Sequence, residues 1–183
     1  MKEQIINSYA AGLPKTLSAR EIYAISRMSY EKVNIITLDK IKEWFGENMP
    51  VTKLIYNLRR KGVLKPITTG VYSYAHIENG PGGGGVFPQQ VAPILFPKGN
   101  YYIGYSTAYH THHYTEQVVV VTCILNTSYQ SKKEIQGERY ELYKIPENRM
   151  YGIEKHKLFD GTIVNYSDKE RTLVDVFYHP GIV

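Results

Sequence analysis

Apolar residues recur with helical spacing in the stretch from Asn48 to Gly62. Four of them lie at positions i, i+3, i+4 and i+7 and would form one stripe along a helix: Val51, Leu54, Ile55 and Leu58. Asn48 suits the cap at the N-terminus of such a helix, Pro50 its first turn and Gly62 its end. The pattern predicts a helix over residues 48–61 that buries one apolar face and leaves a polar, basic face outside.

Two short segments directly after this helix predict a β-hairpin. Val63–Pro66 and Val71–Ala75 are rich in residues that favour strands. The polar sequence Thr68-Thr69-Gly70 between them is typical of a turn.

Two further helices are predicted upstream. One begins at Ser18, which opens the S-x-x-E pattern of a capping box, and its Ile22 and Ile25 are expected to face the core. The other spans about residues 37–46 and leads through a short turn into the basic helix. Two helices joined by a short turn, followed by a hairpin, are typical of a winged helix-turn-helix. We therefore predict such a domain over residues 1–75.

A winged helix-turn-helix binds double-stranded DNA by placing its second helix in the major groove and its hairpin beside the backbone. The residues predicted to contact DNA lie on the outer face of the helix or on the hairpin: Thr52, Lys53, Tyr56, Asn57, Arg59, Arg60, Lys61, Lys65, Thr68, Thr69 and Tyr72. The alternative is an ordinary amphipathic helix whose charged face is simply solvated.

The distribution of charge favours the DNA-binding interpretation. The chain has 183 residues and a formal net charge of +5. Residues 1–75 contain 12 Lys and Arg against 6 Asp and Glu, whereas residues 76–183 contain 10 against 11. The excess positive charge therefore lies in the part that carries the basic helix, as contact with phosphates requires.

The glycine-rich stretch over residues 76–87 predicts a flexible linker or loop. A phosphate-binding loop is the alternative, but this stretch lacks the Gly-Lys-Ser/Thr ending of a P-loop. Residues 88–183 predict a small α+β domain with a mixed or antiparallel sheet. Its strands are expected over Glu116–Leu125, which reads as buried on both faces, over Tyr140–Ile145, and once or twice over Tyr151–Asn165.

A last helix is predicted over Asp168–Tyr178. Ser167 and Glu170 form a second S-x-x-E pattern, which predicts a capping box at its N-terminus. Arg171 and Asp175 are spaced as i and i+4 and are expected to pair in a structural role. The apolar residues assigned to its inner face are Leu173, Val174 and Phe177.

Composition points to a cytoplasmic protein. No apolar run approaches the roughly 18 residues of a membrane span, and the N-terminus lacks the apolar core of a signal peptide. Cys123 is the single cysteine, so no internal disulfide can form. We expect no membrane partner.

A histidine cluster is the candidate metal site. His110, His112 and His113 precede Glu116, and two of the histidines could share a helix face. No cysteine or carboxylate motif completes a zinc signature, so we interpret them as surface or capping residues and expect neither metal nor cofactor.

A second set of residues would suit a metal-dependent nuclease: Glu138, Glu141 and Asp160 with Lys155 or Lys157. Charged residues on the outer faces of strands are the simpler interpretation. Because no Ser/His/Asp or Cys/His arrangement of recognisable spacing is present either, we do not expect an enzyme.

Three motifs resemble the AbiEi-type antitoxins, which are transcriptional regulators of abortive-infection toxin–antitoxin systems. GVLKPITTGVYSYA is similar to the wing of that family. YYIGYSTAYHTHHYTEQ resembles its helix with a serine-x-alanine core and a following histidine-containing turn. SDKERTLVDVFYHP resembles its glu-arg-thr-leu-x-asp helix, and the order and spacing of the three motifs also agree.

The resemblance implies a sequence-specific DNA-binding regulator that represses its own operon as an antitoxin. It further implies a nucleotidyltransferase-like toxin as partner, often encoded beside the antitoxin. Two alternatives stay open, a toxin-neutralising interaction protein with secondary DNA binding and a metal-dependent nuclease fused to a DNA-reading module. A homodimer is an open alternative to a monomer.

Overall fold

The computed structural model describes residues 17–46, 50–76, 85–179 and 181. The predicted cap Asn48 and most of the predicted linker, residues 77–84, lie outside the described residues. The chain divides into two units, Met1–Val86 and Phe87–Val183, and this boundary falls inside the stretch 76–87.

Unit 1 contains three helices and a three-stranded sheet in the part that is described. In chain order the elements are α1 (Ala19–Tyr30), β1 (Ile35–Thr37), α2 (Leu38–Phe45), α3 (Val51–Arg60), β2 (Leu64–Thr68) and β3 (Val71–Tyr74). The sheet is antiparallel, with strand order β1-β3-β2. The hairpin β2–β3 therefore gains a third strand from the segment between α1 and α2.

Local hydrogen bonds explain where the first two helices of unit 1 begin. The predicted capping box of α1 is confirmed, since the N–H of Ser18 donates to Oε2 of Glu21 over 2.7 Å and the N–H of Glu21 donates to Oγ of Ser18 over 3.4 Å. Thr37 caps α2 by accepting from the N–H of Lys40 over 3.1 Å. Helices α1 and α2 therefore begin at a side chain that satisfies a free backbone N–H, whereas α3 begins after Pro50 without a side-chain cap.

The core of unit 1 lies between the three helices and the sheet. The predicted stripe of α3 is confirmed, because Val51, Leu54, Ile55 and Leu58 are all buried. In α1, Ile25 faces the core as expected, whereas Ile22 is 50% exposed and the prediction for it is wrong. The buried side of α1 runs instead through Glu21, Ala24, Ile25 and Met28.

The short strand β1 was not predicted from the sequence. Its three residues pair with β3, with Ile36 opposite Tyr72, and Ile36 is fully buried. A segment of three residues is too short to show an alternating pattern, so its strand character comes from the pairing with β3.

Unit 2 is built on one six-stranded sheet. Its elements are α4 (Val91–Leu95), β4 (Tyr101–Ile103), α5 (Tyr105–Thr111), β5 (Val121–Asn126), β6 (Ser131–Ile135), β7 (Glu138–Lys144), β8 (Ile153–Lys157), β9 (Ile163–Ser167) and α6 (Lys169–Tyr178). The strand order is β6-β7-β5-β4-β9-β8. The pairs β5–β7 and β4–β9 are parallel and the other three are antiparallel, so the predicted α+β class with a mixed sheet is confirmed.

The central strand of unit 2 is shorter than predicted. The buried strand expected over Glu116–Leu125 begins only at Val121, where pairing with β7 starts. Val118 and Val120 lie before it and are 84% and 61% exposed. The prediction from apolar composition places the start of the strand too early. Only the last part of the apolar segment, from Val121, pairs with β7.

The last helix, α6, is oriented opposite to the prediction. Its buried residues are Arg171, Thr172 and Asp175. The residues assigned to the inner face are exposed instead: Leu173, Val174 and Phe177. The reason is that the sheet offers hydrogen-bond partners to polar side chains at this place, including the hydroxyl groups of Tyr102 and Ser167.

The cap of α6 also differs from the prediction. Asp168 accepts from the N–H of Arg171 over 2.7 Å and is the N-cap residue. Ser167 is the last residue of β9 and is fully buried, so it cannot open a capping box with Glu170. Among the helices of the described residues, none has the length and apolar character needed to cross a membrane.

Candidate nucleic-acid interface

The outer face of α3 carries most of the residues that the sequence singled out. We call the set Thr52, Lys53, Tyr56, Asn57, Arg59 and Arg60 the α3 face. All are exposed except Asn57, which is half-buried. Because the opposite side of the helix is anchored in the core, these side chains project away from unit 1 on a rigid element.

The basic residues of the α3 face are available to an anionic ligand. In the described parts of the chain, no carboxylate forms an ion pair with Lys53, Arg59 or Arg60. The guanidinium of Arg60 lies 5.8 Å from the ring centroid of Tyr56, and that of Arg59 lies 6.0 Å from the ring of Tyr72. These cation–π contacts orient the two guanidinium groups without neutralising their charge.

Two of the predicted contact residues are not on this surface. Tyr72 is buried, and its ring serves as the support for Arg59. The ammonium of Lys61 lies 2.5 Å from a carboxylate oxygen of Glu21, and only 9% of the Lys61 side chain is exposed. Burial, which alone would raise the pKa of Glu21, is outweighed by hydrogen bonds from Lys61 and Ser18, so this pKa lies below its ordinary value.

The hairpin residues lie beside α3. Thr69 at the turn is exposed, and Lys65 and Thr68 are half-buried. The carbonyl of Gly70 accepts from the N–H of Leu38 over 2.7 Å, which fixes the turn against the start of α2. Gly70 has φ of 74°, a left-handed conformation that suits glycine at this turn. The turn is thereby held in one position relative to the helices.

Sequence reasoning did not single out Arg20. This exposed residue of the first turn of α1 lines a cleft with Lys53 and Asn57 of α3. Arg20 lies close to Lys53 and Asn57 because α1 packs against α3, and this packing cannot be predicted from the local sequence. The one available signal was a basic residue inside the capping-box motif.

The three histidines do not form a ligand set. His110 and His113 are exposed, and Nε2 of His112 lies 2.7 Å from the carbonyl oxygen of Ser167. Within the described ranges, no three His, Cys, Asp or Glu side chains are close enough together to hold a metal ion.

The residues considered for a nuclease are spread across the sheet of unit 2. Glu138 and Glu141 lie on β7, whereas Asp160 follows β8, and three strands stand between β7 and β8 in the sheet order. At a strand spacing of about 4.8 Å, this separation is too large for one metal centre. Glu141 pairs with Lys132 over 2.6 Å, and Asp160 accepts from the hydroxyl of Thr162 over 2.7 Å.

The predicted pair on α6 is confirmed and is part of a buried network. The guanidinium of Arg171 lies 2.9 Å from the carboxylate of Asp175, and the hydroxyl of Tyr102 contacts both. Burial raises the pKa of Asp175, although Arg171 and Tyr102 act in the opposite direction. The ring centroid of Tyr105 lies 5.6 Å from that of His179, which directly follows α6, and burial raises the pKa of Tyr105 to about 12. These contacts indicate a structural centre for unit 2.

No protein-family model matches the chain, and no curated protein sequence matches it. Among solved structures, the chain is similar to the crystal structure of the RV2827C protein from Mycobacterium tuberculosis, with a TM-score of 0.55 and 14% sequence identity. The similarity covers 74% of this chain and 48% of that chain, so this chain spans about half the length of its structural neighbour. At this identity the likeness concerns the fold alone.

Proposed function

We propose that unit 1 is a winged helix-turn-helix that binds double-stranded DNA in a sequence-specific manner. The observation that carries the proposal is the basic α3 face, presented by a helix that is followed directly by an antiparallel hairpin. The chain order helix, strand, helix, helix, hairpin supports it, because a winged helix-turn-helix uses this order. In this arrangement α2 is the supporting helix, α3 is the recognition helix and the turn at Thr69 is the tip of the wing.

The positions along α3 divide the proposed contacts into two kinds. Thr52, Lys53, Tyr56 and Asn57 lie on the N-terminal part of the helix, which usually reaches base edges. Arg59 and Arg60 lie in its last turn, where side chains usually meet phosphates. Arg20 adds a cation beside Lys53 and extends the basic surface towards α1.

The biological role that fits best is an autorepressing antitoxin of AbiEi type. Its support is the resemblance of three motifs, in unit 1 and unit 2, to that family. In this role unit 1 occupies the operator of its own operon, and unit 2 is the part that acts on a nucleotidyltransferase-like toxin.

The exposed side of α6 supports the toxin-binding part of this role. Leu173, Val174, Phe177 and Tyr178 form an apolar surface on the outside of the helix. Apolar patches of this kind often mark protein interaction sites. The change Phe177→Asp should abolish protection in cells that express the chain with a toxin encoded beside it, and should leave DNA binding unchanged. Full protection by Phe177→Asp would argue against this surface.

DNA binding is tested by selection followed by titration. A randomised duplex library is enriched on the parent protein, and the enriched duplex is titrated by fluorescence anisotropy against the parent and against Lys53→Ala/Arg59→Ala/Arg60→Ala. We expect this triple variant to lose roughly a hundredfold in affinity, because it removes base and phosphate contacts together.

A variant in unit 2 that also removes three positive charges controls for the change in net charge. Lys144 is exposed on β7, and Lys155 and Lys157 are exposed on β8. The variant Lys144→Ala/Lys155→Ala/Lys157→Ala should bind like the parent. Equal binding by all three proteins, or failure to enrich any duplex, would refute the proposed function.

A further inference from the structure

A buried ion pair joins α1 to the end of α3. Nζ of Lys61 lies 2.5 Å from Oε2 of Glu21, and the exposed fractions of the two side chains are 9% and 2%. The same Oε2 accepts from the N–H of Ser18 over 2.7 Å. A single carboxylate oxygen therefore closes the capping box of α1 and holds the residue that directly follows α3.

The pair is an inefficient means of holding two helices together. Moving two charges out of water is unfavourable, and apolar side chains of similar size often give equal or greater stability. The cost is incompletely offset here, because Oε1 of Glu21 is buried and has no hydrogen-bond partner among the described residues. In addition, the pair sets the position of the end of α3 relative to the first turn of α1, because it joins the two helices at one point.

A second contact ties the opposite end of α1 to the hairpin. Oγ of Ser29 lies 2.7 Å from the hydroxyl oxygen of Tyr74, the last residue of β3. Tyr74 is 2% exposed, so its hydroxyl group bonds inside unit 1. Helix α1 thus holds the recognition helix at one end and the wing at the other.

We propose that Glu21 and Lys61 are positioning residues for the recognition of base sequence. The proposal rests on the DNA-binding function proposed above and assigns Lys61 a role through α3 in place of a phosphate contact. Hydrogen bonds to base edges require an accurately placed helix, whereas phosphate contacts carry no sequence information. Loss of the pair should therefore reduce the discrimination between sequences more than the general affinity for DNA.

The test uses the double variant Glu21→Gln/Lys61→Met. Glutamine at position 21 keeps the capping box, methionine keeps much of the lysine stem, and both buried charges are removed together. Affinities are measured by fluorescence anisotropy on the duplex enriched by the parent and on a scrambled duplex of equal composition. We expect about tenfold weaker binding to the enriched duplex, equal binding to the scrambled duplex, an unchanged salt dependence and no fall in melting temperature.

Three results would overturn the proposal. Parent-like affinity for the enriched duplex would show that the pair does not position the helix. An equal loss on both duplexes with a weaker salt dependence would make Lys61 a phosphate contact. Failure of the double variant to fold would make the pair a stabilising element only.

A measurement without DNA separates this proposal from the proposed function. The amides of Lys61 and Val63 close the last turn of α3 through bonds of 3.0 and 2.9 Å. Their hydrogen exchange in the free protein should be about tenfold faster in the double variant, at unchanged global stability. A parent that binds no duplex refutes the proposed function, and unchanged exchange refutes the positioning role.

Discussion

The guanidinium of Arg171 and the carboxylate of Asp175 lie 2.9 Å apart on successive turns of α6, and 3% and 4% of these side chains are exposed. The hydroxyl of Tyr102 donates to Asp175 over 3.1 Å and accepts from Arg171 over 3.0 Å. Gly152 approaches Arg171 so closely that a Cβ there would lie 2.7 Å from Cβ of Arg171. The pair therefore sits in a tightly packed centre that links α6 to the sheet of unit 2.

Breaking this pair should destabilise unit 2 strongly. The change Asp175→Asn leaves a buried, uncompensated guanidinium, so we expect a loss of about 3–5 kcal/mol in the free energy of unfolding. Urea denaturation followed by circular dichroism measures it. Glu170→Gln on the exposed side of the same helix is the control and should change stability by less than about 0.5 kcal/mol. A similar, small effect of both variants would contradict the structural role.

The exposed apolar side of α6 should contribute little to the stability of the isolated chain. Phe177 is 85% exposed, so Phe177→Ala should cost less than about 1 kcal/mol. Leu142, at 1% exposure in β7, is the matched core position, and Leu142→Ala should cost about 2–5 kcal/mol. Equal losses in thermal unfolding would mean that Phe177 is covered in the free protein.

A comparison of α3 with α6 shows when the buried face of a helix can be predicted from the sequence. In α3 the apolar stripe is continuous, and the helix and its buried face follow from spacing alone. In α6 the buried face is polar, because the partners of Arg171 come from Tyr102, which lies 69 positions away in sequence. A contact between residues so far apart produces no pattern in the local sequence. The spacing of apolar residues in α6 therefore predicts the wrong face of the helix as the buried one.

The candidate site shows the same limit. The exposed residues of the α3 face follow from helical periodicity once the core stripe is known. Lys61 is not available on this surface because it pairs with Glu21, 40 positions earlier in the sequence. Arg20 lies near Lys53 because α1 packs against α3. Contacts between elements therefore decided which basic residues stay available.

The stability of unit 1 should depend on pH through Glu21. The pKa of Glu21 in the folded state lies below its ordinary value of 4.5, so its contribution to stability is present above that value and is lost as the pH falls through the folded-state pKa. The stability difference between the parent and Glu21→Gln should therefore shrink as the pH falls below 4.5 and through the lower pKa of the folded state. Glu43→Gln, with an exposed side chain, should differ little from the parent throughout. A difference that grows on acidification would contradict the assigned ion pair.

The proposed contact of base edges with the N-terminal part of α3 leads to a separate prediction. If Lys53 contacts a base edge, Lys53→Ala should weaken binding to the enriched duplex by roughly 1–3 kcal/mol and reduce the preference at one position of the site. Stability should barely change, because Lys53 is exposed. Parallel selection with parent and variant measures the preference. An unchanged preference together with unchanged affinity would remove Lys53 from the base contacts.

Contacts with phosphate are distinguished by their dependence on salt. Arg60 is exposed in the last turn of α3 and forms no ion pair within the described residues, so it is available for the phosphate contact proposed above. Each such contact contributes about −0.9 to the slope of log K against log salt. We therefore expect Arg60→Ala to weaken enriched and scrambled duplexes by similar factors and to make the slope shallower by about one unit.

Lys132 on β6 is the matched control for this experiment. Its side chain is 82% exposed, but its ammonium pairs with Glu141 and it belongs to unit 2, whose sequence carries no excess positive charge. Lys132→Ala should leave both the affinities and the slope unchanged. If Lys132→Ala instead flattens the slope while Arg60→Ala does not, the DNA is bound by unit 2, because only side chains that replace counterions at phosphates contribute to the slope.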